Sequence, residues 1–210
     1  MIKVYGRATS VNVQAVMWCI TELGLEHERE DVGGAYGGTD TPEFLAKNPM
    51  GLIPVIEDGA VTLFETPTIL RYVIRRYGTH PADPAAAAQL ELWADWTRSH
   101  FYKPMTYGVF WQLIRTPKNE RNHAQFDKDR QEINALTHTI GAQMQGPYIN
   151  GDTLSIADFA FGTLLHRYFE LEFERDAHPA VTAYYEALRQ RPAYRAHVMK
   201  DPNDLKVEGA

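Results

Sequence analysis

Ser10 sits in the run Gly6-Arg7-Ala8-Thr9-Ser10-Val11-Asn12, where an apolar helical pattern begins. A hydroxyl at that point can donate a hydrogen bond beside the positive end of a helix, and both features stabilise a thiolate. The same serine also suits a plain structural cap. Thr9 and Asn12 are near enough to assist it. A second feature is Ile53-Pro54, inside Asn48-Pro49-Met50-Gly51-Leu52-Ile53-Pro54-Val55. A proline opening a strand is tolerated at an edge or bulge, and a cis proline marks a purposeful turn. A trans proline beginning an edge strand fits the spacing equally well. The third is Phe64-Glu65-Thr66-Pro67. Threonine suits an N-cap and proline the first helical position, and a helix N-terminus attracts a carboxylate. A simple cap is the plainer reading.

These candidates hang on alternating elements. Ile2, Val4 and Gly6 alternate with Lys3 and Tyr5 in a short strand; Val13, Val16, Met17, Ile20 and Leu23 then follow helical spacing until Gly24. His27 to Val32 reads as a strand, and Thr41-Pro42-Glu43-Phe44-Leu45 opens a short helix. Ile53 to Glu57 and Val61 to Phe64 flank the hairpin signal Asp58-Gly59-Ala60, and Thr66-Pro67 starts a further helix. The order β-α-β-α-β-β-α resembles the thioredoxin-like layout, an α/β domain over residues 1–78. Residues 79–84, Thr-His-Pro-Ala-Asp-Pro, break helices and read as a linker. Residues 85–210 read as an all-α helical bundle, with helices around Leu90 to Thr97, Phe126 to Ile140, Leu154 to Tyr168 and Pro179 to Arg189.

Composition narrows the function. Apolar residues make up 44% and charged residues 23%, which is ordinary for a globular chain. The net charge of −6 argues against a nucleic-acid surface. No apolar run is long enough for a membrane span, and the N-terminus lacks a signal-peptide core. One cysteine, Cys19, forbids an internal disulfide and points to a cytoplasmic chain. In mid-helix between Trp18 and Ile20 it reads as an inert packed thiol. His123, His138 and His166 show no metal-ligand spacing, so no metal is expected. The Gly33-Gly34-Ala35-Tyr36-Gly37-Gly38 loop lacks the Gly-Lys-Ser/Thr of a phosphate cradle.

In their order and spacing these segments resemble the cytosolic glutathione transferases, from residue 2 to about residue 198. The Ile53-Pro54 run is similar to the segment whose cis-proline presents a backbone edge to glutathione. The resemblance implies that Ile53 pairs with the cysteinyl unit. Glu65-Thr66 stands where the family carries Glu-Ser, implying that they hold the γ-glutamyl end, with Asn12 alongside. Counted back from Val16 and Gly24, Ser10 matches the catalytic serine of theta- and zeta-like members. The tyrosine slot of other classes falls at Gly6, so Tyr5 points to the opposite face and belongs to the core. Gly151-Asp152-Thr153-Leu154-Ser155-Ile156-Ala157-Asp158-Phe159 is a capping box with a hydrophobic staple, Leu154 to Phe159. It resembles the S-x-A-D motif of the superfamily, and Arg191-Pro192-Ala193 resembles its closing segment.

The resemblance implies a transferase that uses glutathione as co-substrate, without metal, and a homodimer. A zeta- or theta-type isomerase or dehalogenase is the alternative, and so is a non-catalytic binding module on the same fold. The electrophile pocket is expected from Phe101, Tyr107, Phe110, Trp111 and Arg115, the arginine suiting an anionic or carbonyl-bearing substrate. One departure concerns the glycyl end of glutathione: many relatives place a lysine where this chain has Leu52. Lys47 or backbone groups are the candidates left to hold that end.

Overall fold

The computed structural model describes residues 1–210. Strand β1 (Ile2–Tyr5), helix α1 (Val11–Glu22), β2 (His27–Glu30), α2 (Pro42–Lys47), β3 (Val55–Asp58), β4 (Val61–Phe64) and α3 (Thr66–Tyr77) follow in order. They build one mixed sheet, β2-β1-β3-β4. Strand β1 runs parallel to β2 and antiparallel to β3, with Val4 opposite Ile56 and Tyr5 opposite Val55. This is the thioredoxin-like unit that the element order predicts. The third strand starts at Val55 rather than Ile53. The Ile53-Pro54 peptide is cis and proline has no N–H for the ladder, so pairing begins one residue beyond it.

The remainder is helical. Helix α4 (Pro84–Trp96) opens on Pro84, which the sequence assigns to the linker. Proline is well placed there because the first helical N–H has no partner to lose, and the Asp83 carboxylate caps the turn by accepting from Ala86 N at 2.8 Å. Beyond Trp96 the helix continues unbroken in wider, π-type turns over Thr97–Phe101 and Pro104–Arg115. Pro104 cannot donate to an ordinary α-turn and its ring crowds the preceding one, which accounts for the wider winding. Helices α5 (His123–Gly141), α6 (Ile156–Glu170), α7 (Pro179–Arg189) and α8 (Pro192–His197) complete the bundle.

Helix α1 joins the two halves. Val13, Val16, Trp18, Cys19 and Ile20 have no exposed surface. Trp18 meets Phe159 of α6 and Tyr194 of α8 edge-on, each at 4.8 Å between ring centres. A single buried cluster therefore runs from Val4 and Ile56 through α1 to Phe161 and Leu188. Cys19 lies inside it, and burial pushes its thiol far above the usual range, as for an inert packed thiol. Tyr5 faces a separate small cluster with Val32, Phe44 and Val55, and its hydroxyl donates to Glu57 at 2.5 Å.

The start of α6 is pinned by Asp158, which is fully buried. Its carboxylate accepts from Ser155 N at 2.7 Å, Ser155 Oγ at 2.8 Å and Ile149 N at 3.1 Å. Asp158→Ala would strand those buried donors, so it should cost about 3 kcal/mol. Urea denaturation checks this; an unchanged midpoint would contradict it.

Candidate functional site

Gly6 ends β1 at φ 148°, and a β-carbon there would lie 2.5 Å from Val13 Cγ2 and 3.2 Å from Ile53 Cβ. Only glycine lets strand, helix and cis-peptide segment approach this closely. The chain then turns so that Ser10 takes the N-cap position of α1 with extended backbone, φ −78° and ψ 121°. Its carbonyl accepts from Gln14 N at 2.8 Å, yet its side chain makes no capping bond. The hydroxyl of Ser10 is thus left uncommitted at a positive helix end.

Ser10, Thr9, Asn12, Leu52 and Ile53 form one wall of a cleft of about 290 Å³ between sheet and bundle. The backbone N–H and C=O of Ile53 are bonded to no other backbone group. They form a free strand-like edge beside Ser10. Asn12 also borders an adjoining hollow with Thr66, Pro67, Thr97 and Arg98, and its side-chain N–H donates to Tyr102 Oη at 3.3 Å. Pro54 is buried behind Ile53.

Glu65 and Thr66 differ from the expected cap. Helix α3 starts at Thr66 itself, and the N-cap position falls to Glu65 with no side-chain capping bond. Glu65 has φ 67° and ψ 113°, the chain's one non-glycine residue with positive φ. That turn delivers Thr66 into helical geometry directly, so neither side chain is spent on the cap. Glu65 is exposed, and Thr66 lines the hollow next to Asn12.

Tyr107, Phe110, Trp111 and Arg115 line the opposite wall. Tyr107 and Trp111 are 50% and 48% exposed and stack edge to face at 5.4 Å, so their rings stand open to a ligand. Phe101 does not join them. It is fully buried and meets Phe161 edge-on at 4.9 Å. The wide turns and Pro104 between residues 101 and 110 shift the helical phase, turning Phe101 into the core. Lys47, a candidate for the glycyl end, is bound by Glu57 beneath Tyr5. Leu52 is 59% exposed at the rim of the cleft.

Sequence reasoning passed over Arg7 and Arg167, which both line the cleft. Arg167 donates to the Thr9 carbonyl at 3.2 Å and lies 3.9 Å over the Phe110 ring. Its pKa is lowered to about 10, chiefly by burial, with Tyr102 opposing and Arg7 adding to the fall. Its signal in the sequence is a charge on the buried face of α6, three residues after Leu164 and seven after Ala160. No group of three or more His, Cys, Asp or Glu side chains is arranged to hold a metal ion. No helix is long and apolar enough to cross a membrane.

Residues 1–75 match the family model described as glutathione S-transferase, N-terminal domain, and residues 99–192 that of the C-terminal domain. The chain is 32% identical over 208 residues to glutathione S-transferase GstB of Escherichia coli K12, covering 95% of this chain and 98% of that protein. It is 30% identical over 200 residues to glutathione S-transferase 4 of Zea mays, covering 91% and 89%. Among solved structures it superposes with TM-score 0.88 on a theta class glutathione S-transferase of Xanthomonas axonopodis pv. citri with glutathione bound. There the identity is 37%, with 95% of this chain and 97% of that one covered.

The positive φ of Glu65 holds strain that a glycine would relieve. Glu65→Gly should therefore raise stability, by about 1 kcal/mol after the entropy of the unfolded glycine is subtracted. A fall in the denaturation midpoint would contradict this.

Proposed function

This chain belongs to the glutathione S-transferase family, and from that premise we propose a serine-type enzyme in which Ser10 activates the glutathione thiol. The observation that carries this reading is the uncommitted Ser10 hydroxyl at the start of α1, facing a cleft beside the free edge of Ile53. Glutathione lies along Ile53-Pro54, its cysteinyl backbone meeting the Ile53 N–H and C=O. Its γ-glutamyl end reaches Glu65, which accepts from the amino group, and Thr66, which donates to the carboxylate. Asn12 supports that end.

Ser10 donates a hydrogen bond to the sulfur, and with the positive end of α1 it favours the thiolate. The thiolate attacks a hydrophobic electrophile held against Tyr107, Phe110 and Trp111, with Arg115 at its far side. A sulfur–carbon bond forms, the leaving group departs with its electron pair, and the thiol proton passes to solvent. This chemistry calls for no metal or redox cofactor. We further propose a cytoplasmic detoxifying homodimer whose two-fold interface joins one subunit's first domain to the other's second. The division falls at residues 79–84, with the glutathione-binding domain over 1–78 and the helical domain over 85–210.

Calorimetry with millimolar glutathione tests binding, and an absence of heat would favour a non-catalytic module. Ser10→Ala should lower kcat/KM by on the order of 100-fold, the typical loss of one well-placed donor. It should also move the pH dependence of kcat/KM upward, because the thiolate then forms only at higher pH. Unaltered kinetics and pH profile would remove Ser10 from the mechanism.

A further inference from the structure

Several arginines outside the cleft find carboxylates, Arg29 with Asp31, Arg71 with Glu91, Arg130 with Glu174 and Arg191 with Glu22, whereas Arg121, Arg175 and Arg195 bond to uncharged oxygens, each on its own. The cleft is set apart by bringing three together. Arg7, Arg115 and Arg167 all line it, and no aspartate or glutamate does. Arg167 is only 7% exposed, and its one hydrogen bond goes to the carbonyl of Thr9, the residue beside Ser10. Arg115 donates to the Leu205 carbonyl at 3.1 Å and pairs with no carboxylate. Arg7 lies flat on Gly34, where a β-carbon would meet its Nε at 3.1 Å.

A buried guanidinium without a counter-charge is costly, and its neighbours raise that cost by repulsion. Arg7 has its pKa lowered by burial and by Arg115, so the groups sense one another across the cleft. A chain of net charge −6 thus concentrates positive potential within this cleft. The planar fork of arginine matches a carboxylate through paired N–H bonds, and the exposed Tyr107 and Trp111 rings cover an apolar body.

We infer that the electrophile carries a carboxylate, bound by Arg7, Arg115 and Arg167 while its reactive carbon faces Ser10. This inference rests on the glutathione-transferase reading of the same cleft. The competing occupant is the glycyl carboxylate of glutathione, which would use the same arginines.

The test compares 4-(chloromethyl)benzoate with its neutral analogue 4-(chloromethyl)benzamide at saturating glutathione. In both, sulfur bonds to the benzylic carbon, chloride leaves with the bonding pair and the thiol proton is released. The ratio of kcat/KM for the benzoate over the benzamide should fall about tenfold in Arg115→Gln and at least as far in Arg167→Gln. Arg115 is exposed, so its variant carries the test even if the buried substitution fails to fold. Calorimetry with S-methylglutathione on the wild type and Arg115→Gln separates the possible failures. No binding by the wild type would end the transferase reading, and this inference with it. Binding with an unchanged ratio would overturn the carboxylate site alone. An affinity for S-methylglutathione that falls tenfold in Arg115→Gln would assign the arginines to the co-substrate and also overturn it.

Discussion

Burial of α1 on every side governs the cleft. Trp18 is wedged between Phe159 and Tyr194, while the strand side is closed by Val4 and Ile56 in the same cluster. A helix packed this way can neither slide nor rotate without opening cavities, at a few kcal/mol for each large side chain. Its N-terminus is therefore held at one height between sheet and bundle. Gly6 then permits the close approach of Val13 and Ile53 that brings the Ile53 edge next to Ser10. The relation of hydroxyl to peptide edge is thus set by core packing rather than by loop conformation.

Several features around that point oppose stability. Glu65 holds a positive φ, Arg167 is buried without a carboxylate, and the Ile53 backbone groups find no backbone partner. Each is the kind of local cost that a surrounding rigid structure can sustain at a site of function. Farther away, Asp158 is satisfied by Ser155 and Ile149, and Asp83 caps α4. A gathering of such costs around one cleft is a physical pointer to where chemistry occurs.

The elements were legible because their signals are local. Alternation marks β1, Gly24 ends α1, and Ser155 with Asp158 marks the start of α6. Ser10, Asn12 and Ile53 were legible as members of one site only through the family resemblance, since nothing local joins residues 10 and 53. Arg167 was not legible, because its partners Thr9 and Phe110 come from distant segments. Phe101 misleads for another reason: helical periodicity assumes a constant turn, and the wide turns around Pro104 break that assumption. Pattern reading is reliable where structure is regular and weak where tertiary approach or irregular winding decides.

In the proposed mechanism Ser10 supplies the hydrogen bond to the reacting sulfur. The distance from that sulfur to Ser10 Oγ, in a crystal structure of this chain with glutathione, tests it most directly. A hydrogen-bonding distance is expected, with the cysteinyl backbone paired to Ile53. Sulfur seated against Thr9 or Asn12, with Ser10 Oγ out of reach, would contradict it.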